Sequence, residues 1–348
     1  MGPDDFAYDL PDDRIAQVPL EDRSSARLLV DVDDSGPYHR HIGDLPGMVG
    51  PGDLLVLNDT RVLPARLRMT KETGGAVEIL LLEATGETGV WEALVRPSRR
   101  VPPGTRLSAG GDLTVTVGED MGEGRRKVLL EAGPRSGPDD VLAALQRHGE
   151  MPLPPYLHTR LDDPERYQTV YSQRPASAAA PTAGLHLTDE VLHACTAAGA
   201  IVERLELVVG LDTFRPVMVN DLEDHVMHSE AYTVPEATLE ACRSADRVIA
   251  VGTTTVRALE SAHLASIRGE GPSARTDLFI RPGFDFGVVD VLLTNYHLPR
   301  STLLVMLEAF VGPRWRDLYS LALTEGYRFL SFGDAMLVGR RTADRIVA

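Results

Sequence analysis

The pattern of apolar residues changes twice along the chain, and this change limits the fold more than any other sequence feature. Within residues 65–133, short apolar runs alternate with glycine-rich turns such as 74–75 and 110–111. Many short strands separated by glycine turns favour a small β-barrel or sandwich. Two Gly-Pro pairs within residues 133–138 indicate the exit from this region.

On both sides of this region, apolar strands alternate with helices. Strands are predicted over 52–57, 201–209 and 248–251, and helices over 237–244 and 253–265. Alternating strands and helices indicate a parallel sheet covered by helices.

Helix ends carry their own signals. Thr188 and Ser301 are suited to cap helices that begin just after them, and Gly199 and the pair 312–313 are suited to end helices.

We therefore predict an α/β fold whose mixed or mainly parallel sheet domain is interrupted by an inserted small β-barrel domain. The catalytic α/β domain is predicted to comprise residues 1–64 and 138–348, and the inserted barrel residues 65–137.

The net charge of the 348-residue chain is −16, which argues mildly against nucleic-acid binding because phosphate contacts depend on Lys and Arg. The stretch 61–106 is locally basic, with eight basic and five acidic residues. Charge alone favours a solvated mixed-charge surface there, although one basic region in an acidic protein can still dock a nucleic acid.

The sequence predicts a cytoplasmic protein without a membrane segment. Cys195 and Cys242 are far apart and form no C-x-x-C pair, which is typical of a reducing compartment. The first ten residues hold three aspartates and no apolar core, unlike a secretory signal. No uncharged apolar run approaches the length of a membrane span.

No common catalytic motif is present, but five polar segments follow predicted strands or lie in loops. The first contains Asn58, Asp59 and Arg61, directly after a buried strand. Ligands gather at the carboxyl ends of such strands, and an ordinary turn explains the same residues.

The second segment, residues 179–188, is rich in small residues that let a ligand approach the backbone. Thr182 and Gly184 offer a hydroxyl and an open backbone, and His186 is a candidate general base. A buried histidine beside a helix cap is the alternative.

The third segment, residues 224–230, contains His225, His228 and Glu230. This set can transfer protons. A structural zinc site is rejected because no further ligands follow at a familiar spacing, and no metal is predicted.

The fourth segment places Gly252, Thr253 and Thr254 where a strand enters a helix, a possible cradle for a carboxylate or phosphate. Threonine capping of the helix explains it as well.

The fifth segment begins at Asp290 and continues through Asn295, Tyr296 and His297. Asn295 is suited to contact a base edge and Tyr296 to stack on a base, with packing as the alternative. Residue reasoning alone thus predicts a soluble α/β enzyme with a polar cleft, without identifying its reaction.

Together these segments resemble the S-adenosylmethionine:tRNA ribosyltransferase-isomerase (QueA) family. The motifs that carry the resemblance follow one another along nearly the whole chain: YDLP (8–11), IAQ (15–17), GDLLVLNDTRV (52–62), PARL (64–67), PLPPY (152–156), RYQTVY (166–171), and the stretches 179–188, 252–261, 294–304, 327–329 and 333–337.

The resemblance implies a transferase and isomerase of queuosine biosynthesis. Its substrate would be tRNA with a GUN-type anticodon and 7-aminomethyl-7-deazaguanine at the wobble position. The ribosyl part of S-adenosylmethionine would be rearranged and attached to the aminomethyl group, giving epoxyqueuosine-tRNA, adenine and methionine. S-adenosylmethionine would be a co-substrate, with no metal or redox cofactor.

Given that reaction, we assign hypothetical roles to the polar residues. His186, His228 or Glu230 would remove the 5′ proton that the sulfonium acidifies, and Asp59 or Asp290 would assist the departure of adenine. The methionine carboxylate would bind at the Thr253–Thr255 helix start.

Further candidates fall into two groups. Substrate contacts are predicted for the polar and glycine positions of the five segments: Asn58, Arg61, Thr182, Gly184, Gly252, Thr253, Thr254, Asn295, Tyr296 and His297. Docking of tRNA is predicted for the basic residues Arg96, Arg99 and Arg100, on a protein expected to be a monomer or weak homodimer.

The chain departs from the family pattern at a few positions. Val208 stands where the pattern has histidine, and Asp212 where it has glycine. Ala176-Ser177-Ala178 replaces Gly-Ser-Val, and Leu187 replaces phenylalanine. These departures leave open a paralogue that ribosylates a small deazapurine. A third possibility is a tRNA-binding protein without activity.

Overall fold

The structure of the protein is a computed structural model that describes four stretches of the chain: residues 1–122, 124–133, 138–210 and 217–341. Most of the predicted exit from the barrel, residues 134–137, and the family departure at Asp212 lie outside the described residues.

The described strands and helices, numbered in chain order, cover most of these stretches. The strands are β1 (Arg27–Asp31), β2 (Tyr38–His41), β3 (Asp53–Asn58), β4 (Arg61–Val62), β5 (Arg66–Lys71), β6 (Ala76–Ala84), β7 (Val90–Arg96), β8 (Arg106–Ala109), β9 (Leu113–Gly122), β10 (Arg125–Ala132), β11 (Gly149–Glu150), β12 (Pro175–Ser177), β13 (Ile201–Leu207), β14 (Glu230–Thr233), β15 (Arg247–Val251), β16 (Ser273–Thr276), β17 (Val291–Asn295) and β18 (Ala335–Gly339). The α-helices are α1 (Pro138–His148), α2 (Asp189–Ala197), α3 (Glu236–Ser244), α4 (Thr253–Ile267), α5 (Thr302–Val311) and α6 (Trp315–Thr324).

The chain forms two compact units. Unit 1 consists of Met1–Thr60, Pro155–Gln173 and Pro181–Ala348, and unit 2 of Arg61–Pro154 and Arg174–Ala180. Unit 2 extends further along the chain than the predicted insert, because α1 and β11 belong to it.

Unit 1 is built on a mixed sheet with the strand order β16-β14-β13-β3-β15-β17-β18-β1-β2 in the described residues. Four neighbouring strands, β13, β3, β15 and β17, run parallel. The central strand β3 is buried at every position, as an unbroken apolar run in a sheet covered on both faces requires.

Unit 2 contains antiparallel strands in the order β5-β6-β7-β10-β9-β8, and pairing of β8 with β5 closes them into a barrel. Its interior is filled by alternate apolar residues of the strands, such as Leu67, Ile79 and Val115. The predicted fold class, an α/β domain interrupted by a small β-barrel, is confirmed.

The predicted helix ends are also confirmed. Thr188 Oγ1 accepts a hydrogen bond from Val191 N at 3.3 Å, and Ser301 Oγ accepts one from Leu304 N at 3.3 Å. Gly199 follows α2 with a φ of +103°, a conformation that glycine adopts without steric cost.

Candidate active site

Most of the predicted polar residues of unit 1 meet at one edge of its sheet, which we call the carboxyl edge. Since β3, β13, β15 and β17 are parallel, their last residues, including Asn58 and Asn295, lie at this edge. Strand β14 runs antiparallel to β13, so its first residue, Glu230, lies there too. Gly252 follows β15 at the same edge.

Asn58 connects three elements at this edge through its buried side chain. Its Nδ2 donates to Leu207 O at 3.1 Å and to Thr254 Oγ1 at 3.3 Å. Its Oδ1 accepts from Leu207 N at 3.1 Å and from Thr60 N at 3.2 Å. The amide therefore holds β13 and the start of α4 in place. Asn58, which was predicted to contact substrate, thus positions these two elements in the structure.

The start of α4 is buried and has no side-chain cap among the described residues. Gly252, the residue before the helix, has a φ of +92° and accepts from Thr255 N at 3.1 Å. Thr253 and Thr254 are both buried. Because the first amides of a helix have no partner within it, a buried and uncapped start is suited to an anionic ligand.

A buried ion pair lies beside this helix start. Arg257 and Glu230 are 4% and 3% exposed, and Arg257 Nη1 donates to Glu230 Oε2. Glu230 Oε1 also accepts from Gly210 N at 2.9 Å, and Arg257 Nε donates to Leu278 O at 3.1 Å. Removing either charge would leave the other buried without its counter-charge.

His228 completes this group. Its Nε2 lies 3.9 Å from Glu230 Oε1, and its side chain is 25% exposed. At this distance the two side chains form no hydrogen bond, but the fixed carboxylate would attract a protonated imidazole, and part of the ring is accessible.

A partly open pocket lies at this place. Its polar lining is provided by Thr253, Thr254, Arg257 and Thr302. Its apolar lining consists of Met227, Leu278, Phe279, Ile280, Leu303 and Met306. Met227 directly precedes His228, so the base candidate is next to the pocket wall.

A second polar group at the carboxyl edge contains His186. Asn295 Nδ2 lies 2.8 Å from His186 Nε2 and donates to Leu330 O at 3.2 Å, while Thr182 Oγ1 donates to Asn295 Oδ1 at 3.0 Å. The Leu330 carbonyl requires the amide nitrogen on this side of Asn295. His186 Nε2 must therefore accept, which assigns its proton to Nδ1.

This environment keeps His186 neutral. Burial, followed by the nearby Arg328 and Arg23 guanidinium groups, lowers the pKa of His186 to about 4. Since Asn295 already occupies the Nε2 lone pair, His186 in this arrangement is a hydrogen-bond donor rather than a base.

Two neighbours of His186 have structural partners. A Cβ at Gly184 would lie 1.9 Å from the Tyr171 hydroxyl, so the space beside this glycine is taken by Tyr171 rather than left open for a ribose. The Thr182 hydroxyl is bonded to Asn295. Both predicted contacts with substrate thus coincide with internal packing.

Tyr296 and His297 also lie inside the protein. Tyr296 is 0% exposed and stacks on Phe329 with ring centroids 4.5 Å apart, so a base cannot stack on it in this arrangement. His297 Nε2 lies 3.1 Å from Thr294 Oγ1, and burial lowers the pKa of His297 to about 3. Packing, the alternative reading of this segment, explains both side chains.

Asp290 is not brought to the carboxyl edge. It precedes β17 rather than following it, so it lies at the opposite edge, which we call the amino edge. There its carboxylate accepts from Val248 N at 3.0 Å and pairs with Arg340 at 3.3 Å. Asp59, in contrast, directly follows β3 at the carboxyl edge.

The remaining predicted residues belong to unit 2. Arg61 is in β4, which pairs in parallel with β12. Arg96, Arg99 and Arg100 are exposed and form no ion pair within the described part of the chain, whereas Arg68 pairs with Glu150 at 2.9 Å.

Sequence reasoning missed four arginines of unit 1. Arg257 was detectable, because it follows Thr253 by four residues and therefore shares a helix face with it. Arg23, Arg166 and Arg328 donate to backbone carbonyls and form no ion pair among the described residues. Arg23 and Arg166 line a cleft together with His186. No sequence spacing brings these three together.

The described residues contain no group of three or more His, Cys, Asp or Glu side chains arranged to hold a metal ion. None of their helices has the length and apolar character needed to cross a membrane.

Comparison with known proteins identifies the family. A family model described as "Queuosine biosynthesis protein" matches residues 3–338. S-adenosylmethionine:tRNA ribosyltransferase-isomerases from Rubrobacter xylanophilus and Moorella thermoacetica are 50% and 48% identical, covering 97% and 96% of this chain and 98% and 99% of their own.

A solved structure is similar as well. The crystal structure of an S-adenosylmethionine tRNA ribosyltransferase from Thermotoga maritima is 34% identical and covers 96% of this chain and 99% of its own, with a TM-score of 0.53. With these matches over nearly its full length, the chain belongs to the S-adenosylmethionine:tRNA ribosyltransferase-isomerase family of queuosine biosynthesis.

Proposed function

We propose that this enzyme transfers and isomerises the ribosyl moiety of S-adenosylmethionine onto 7-aminomethyl-7-deazaguanine at the wobble position of tRNA. The products are epoxyqueuosine-tRNA, adenine and methionine. Family membership over nearly the whole chain does not favour the small-molecule paralogue or the inactive binder.

The observation that carries this proposal is the grouping of His228, Glu230 and Arg257 beside the uncapped start of α4. Ribosyl transfer from a sulfonium needs a base for the 5′ proton and a fixed site for the rest of the donor. His228 is the base in this proposal, and Glu230, held by Arg257 and by Gly210 N, stabilises the imidazolium that forms through its nearby negative charge.

His186 has a different role here. Its Nε2 lone pair accepts a hydrogen bond from Asn295, so His186 cannot take the 5′ proton without breaking that bond. Its Nδ1–H remains a hydrogen-bond donor, either to substrate or to another group of the protein. Of the three candidates for the base, His186, His228 and Glu230, the proposal therefore selects His228. Asp59, at the carboxyl edge, takes the role of assisting adenine departure that Asp290 cannot reach.

Several finer features of the function belong to the same proposal. The tRNA substrate has a GUN-type anticodon, and Arg96, Arg99 and Arg100 contribute to its docking, supported by their exposure and their lack of ion pairs among the described residues. The enzyme works in the cytoplasm as a monomer or weak homodimer, and S-adenosylmethionine is its co-substrate with no metal or redox cofactor.

The direct test is incubation with S-adenosylmethionine and tRNA bearing 7-aminomethyl-7-deazaguanine, followed by mass spectrometry. Free adenine and methionine, with a mass increase on the tRNA, are expected. Matched tRNA with guanine at the wobble position should release no adenine. Formation of S-adenosylhomocysteine would indicate methyl transfer and overturn the proposal, and adenine release with the free deazapurine base alone would point to the small-molecule enzyme.

A further inference from the structure

The pocket beside α4 has unused binding capacity at its polar end. Arg257 lines this pocket and is 4% exposed, and its Nη2 has no hydrogen-bond partner among the described residues. Leaving a buried guanidinium nitrogen unbonded is costly unless a ligand supplies the acceptor. The uncapped start of α4, at Thr253 and Thr254, is at the same pocket.

These two observations are independent, and both indicate an anion. The helix start offers amide groups and the positive end of the helix dipole, and Arg257 offers a charged donor. Glu230 neutralises Arg257 through Nη1 only, so Nη2 remains for a second carboxylate.

The other side of the pocket is apolar, which defines the rest of the ligand. Met227, Leu278, Phe279 and Met306 are part of this wall. A phosphate on a nucleic-acid backbone would face these side chains without a partner, whereas an amino acid with an unbranched thioether chain matches both ends.

We propose that this pocket binds the methionyl half of S-adenosylmethionine, with the α-carboxylate on Arg257 Nη2 and the start of α4 and the methylene chain along the apolar wall. The inference rests on the proposed function, since it assigns a subsite for its donor. Product methionine occupies the same subsite after transfer and competes with S-adenosylmethionine.

Equilibrium binding tests the carboxylate contact without requiring turnover. Wild-type protein should bind S-adenosylmethionine roughly 10- to 100-fold tighter than decarboxylated S-adenosylmethionine, as expected for a buried charge-assisted hydrogen bond. L-methionine should bind and L-methioninamide should not.

Variants locate the effect. Since R257M alone leaves Glu230 buried without a counter-charge, the informative variant is the double change E230Q/R257M, which removes both charges. In this double variant the ratio of affinities for S-adenosylmethionine and decarboxylated S-adenosylmethionine should fall to about 1, whereas R257K should keep part of the wild-type ratio. The matched control D53N/R247M removes an ion pair at the amino edge and should leave the discrimination unchanged.

Two results would overturn the inference: equal binding of both donors by the wild type, or undiminished discrimination in folded E230Q/R257M, with folding checked by circular dichroism. If the wild type still releases adenine with modified tRNA in either case, the proposed function stands and only the assignment of the methionyl subsite is wrong. Absence of adenine release, in contrast, would remove the function itself.

Discussion

The two edges of the sheet in unit 1 differ in how their charged side chains are paired. At the amino edge, each of three aspartates is matched by arginine. Arg314 donates to both oxygens of Asp31 at 2.6 Å, Arg247 donates to both oxygens of Asp53 at 2.7 Å, and Arg340 pairs with Asp290.

At the carboxyl edge, the corresponding groups are left incomplete among the described residues. Arg257 keeps a buried nitrogen without a partner, and the start of α4 has no side-chain cap. Burial of charge alone therefore does not mark a functional site. The paired aspartates of the amino edge stabilise the fold, whereas the unused nitrogen of Arg257 beside an uncapped helix start indicates a ligand.

The largest expected effect concerns His228. His228→Ala should lower turnover roughly 100- to 10,000-fold, because the base for the 5′ proton is removed. Binding of S-adenosylmethionine should change little, since the lost interaction acts mainly in the transition state. The measurement is deuterium exchange at the 5′ position together with equilibrium binding.

His186→Ala is the matched variant, because both histidines lie at the carboxyl edge. Exchange per folded molecule should stay near the wild-type rate in His186→Ala. The reverse result, normal exchange in His228→Ala and lost exchange in His186→Ala, would return the role of base to His186.

The next effect concerns stability at the amino edge. Asp31 is 1% exposed and contacts both Arg314 and Arg341, so Asp31→Asn should destabilise the protein by roughly 3 kcal/mol, the lower end for breaking a buried ion pair, because Arg314 is 37% exposed and can be hydrated. Turnover per folded molecule should remain that of the wild type. Denaturant unfolding and single-turnover kinetics measure the two quantities, and a large loss of turnover in folded protein would contradict the comparison.

The two edges also show which features can be predicted from the sequence and which cannot. Caps and turns are local, so Thr188, Gly199 and Ser301 marked helix ends correctly, and the unbroken run 52–57 indicated the central strand. Whether a residue lies at the amino edge or the carboxyl edge depends on whether it precedes or follows its strand and on the direction of that strand. Asp290 was therefore grouped with residues that follow β17, although it precedes this strand.

Burial of the aromatic residues was beyond the sequence pattern. Tyr296 follows a strand like the other polar candidates, but it packs against Phe329 and Tyr319, which are distant in the chain. The same holds for the Asn295 contact that occupies His186, because it depends on the Leu330 carbonyl from a third segment. Contacts between distant segments carry no local signal.

A pH dependence of stability follows from His186. Its pKa is about 4 in the folded protein, against about 6.5 in an unfolded chain. Well above pH 6.5 the residue is neutral in both states. As the pH falls from about 6.5 towards 4, the unfolded chain takes up the proton first, and stability should fall by roughly 3 kcal/mol.

His186→Gln isolates this contribution, because glutamine can accept from Asn295 and does not titrate. Between pH 7 and pH 4, the unfolding free energy of His186→Gln should fall by roughly 3 kcal/mol less than that of the wild type. Other titrating groups are common to both proteins and cancel in the difference. Identical pH dependence would mean that His186 is protonated as readily in the folded state as in the unfolded chain.

The smallest effect applies the same distinction to unit 2. Arg99 and Arg100 are exposed without ion pairs among the described residues, whereas Arg68 is paired with Glu150. Replacing Arg99 and Arg100 by alanine should make the salt dependence of tRNA binding shallower by up to about one unit per lost phosphate contact, because fewer counterions are released. Arg68→Ala, the matched control, should leave the slope unchanged, since its charge is already compensated by Glu150. An unchanged slope in the double variant, with a shallower slope after alanine replacement of Arg23 and Arg166 in unit 1, would move the docking surface to the cleft beside His186.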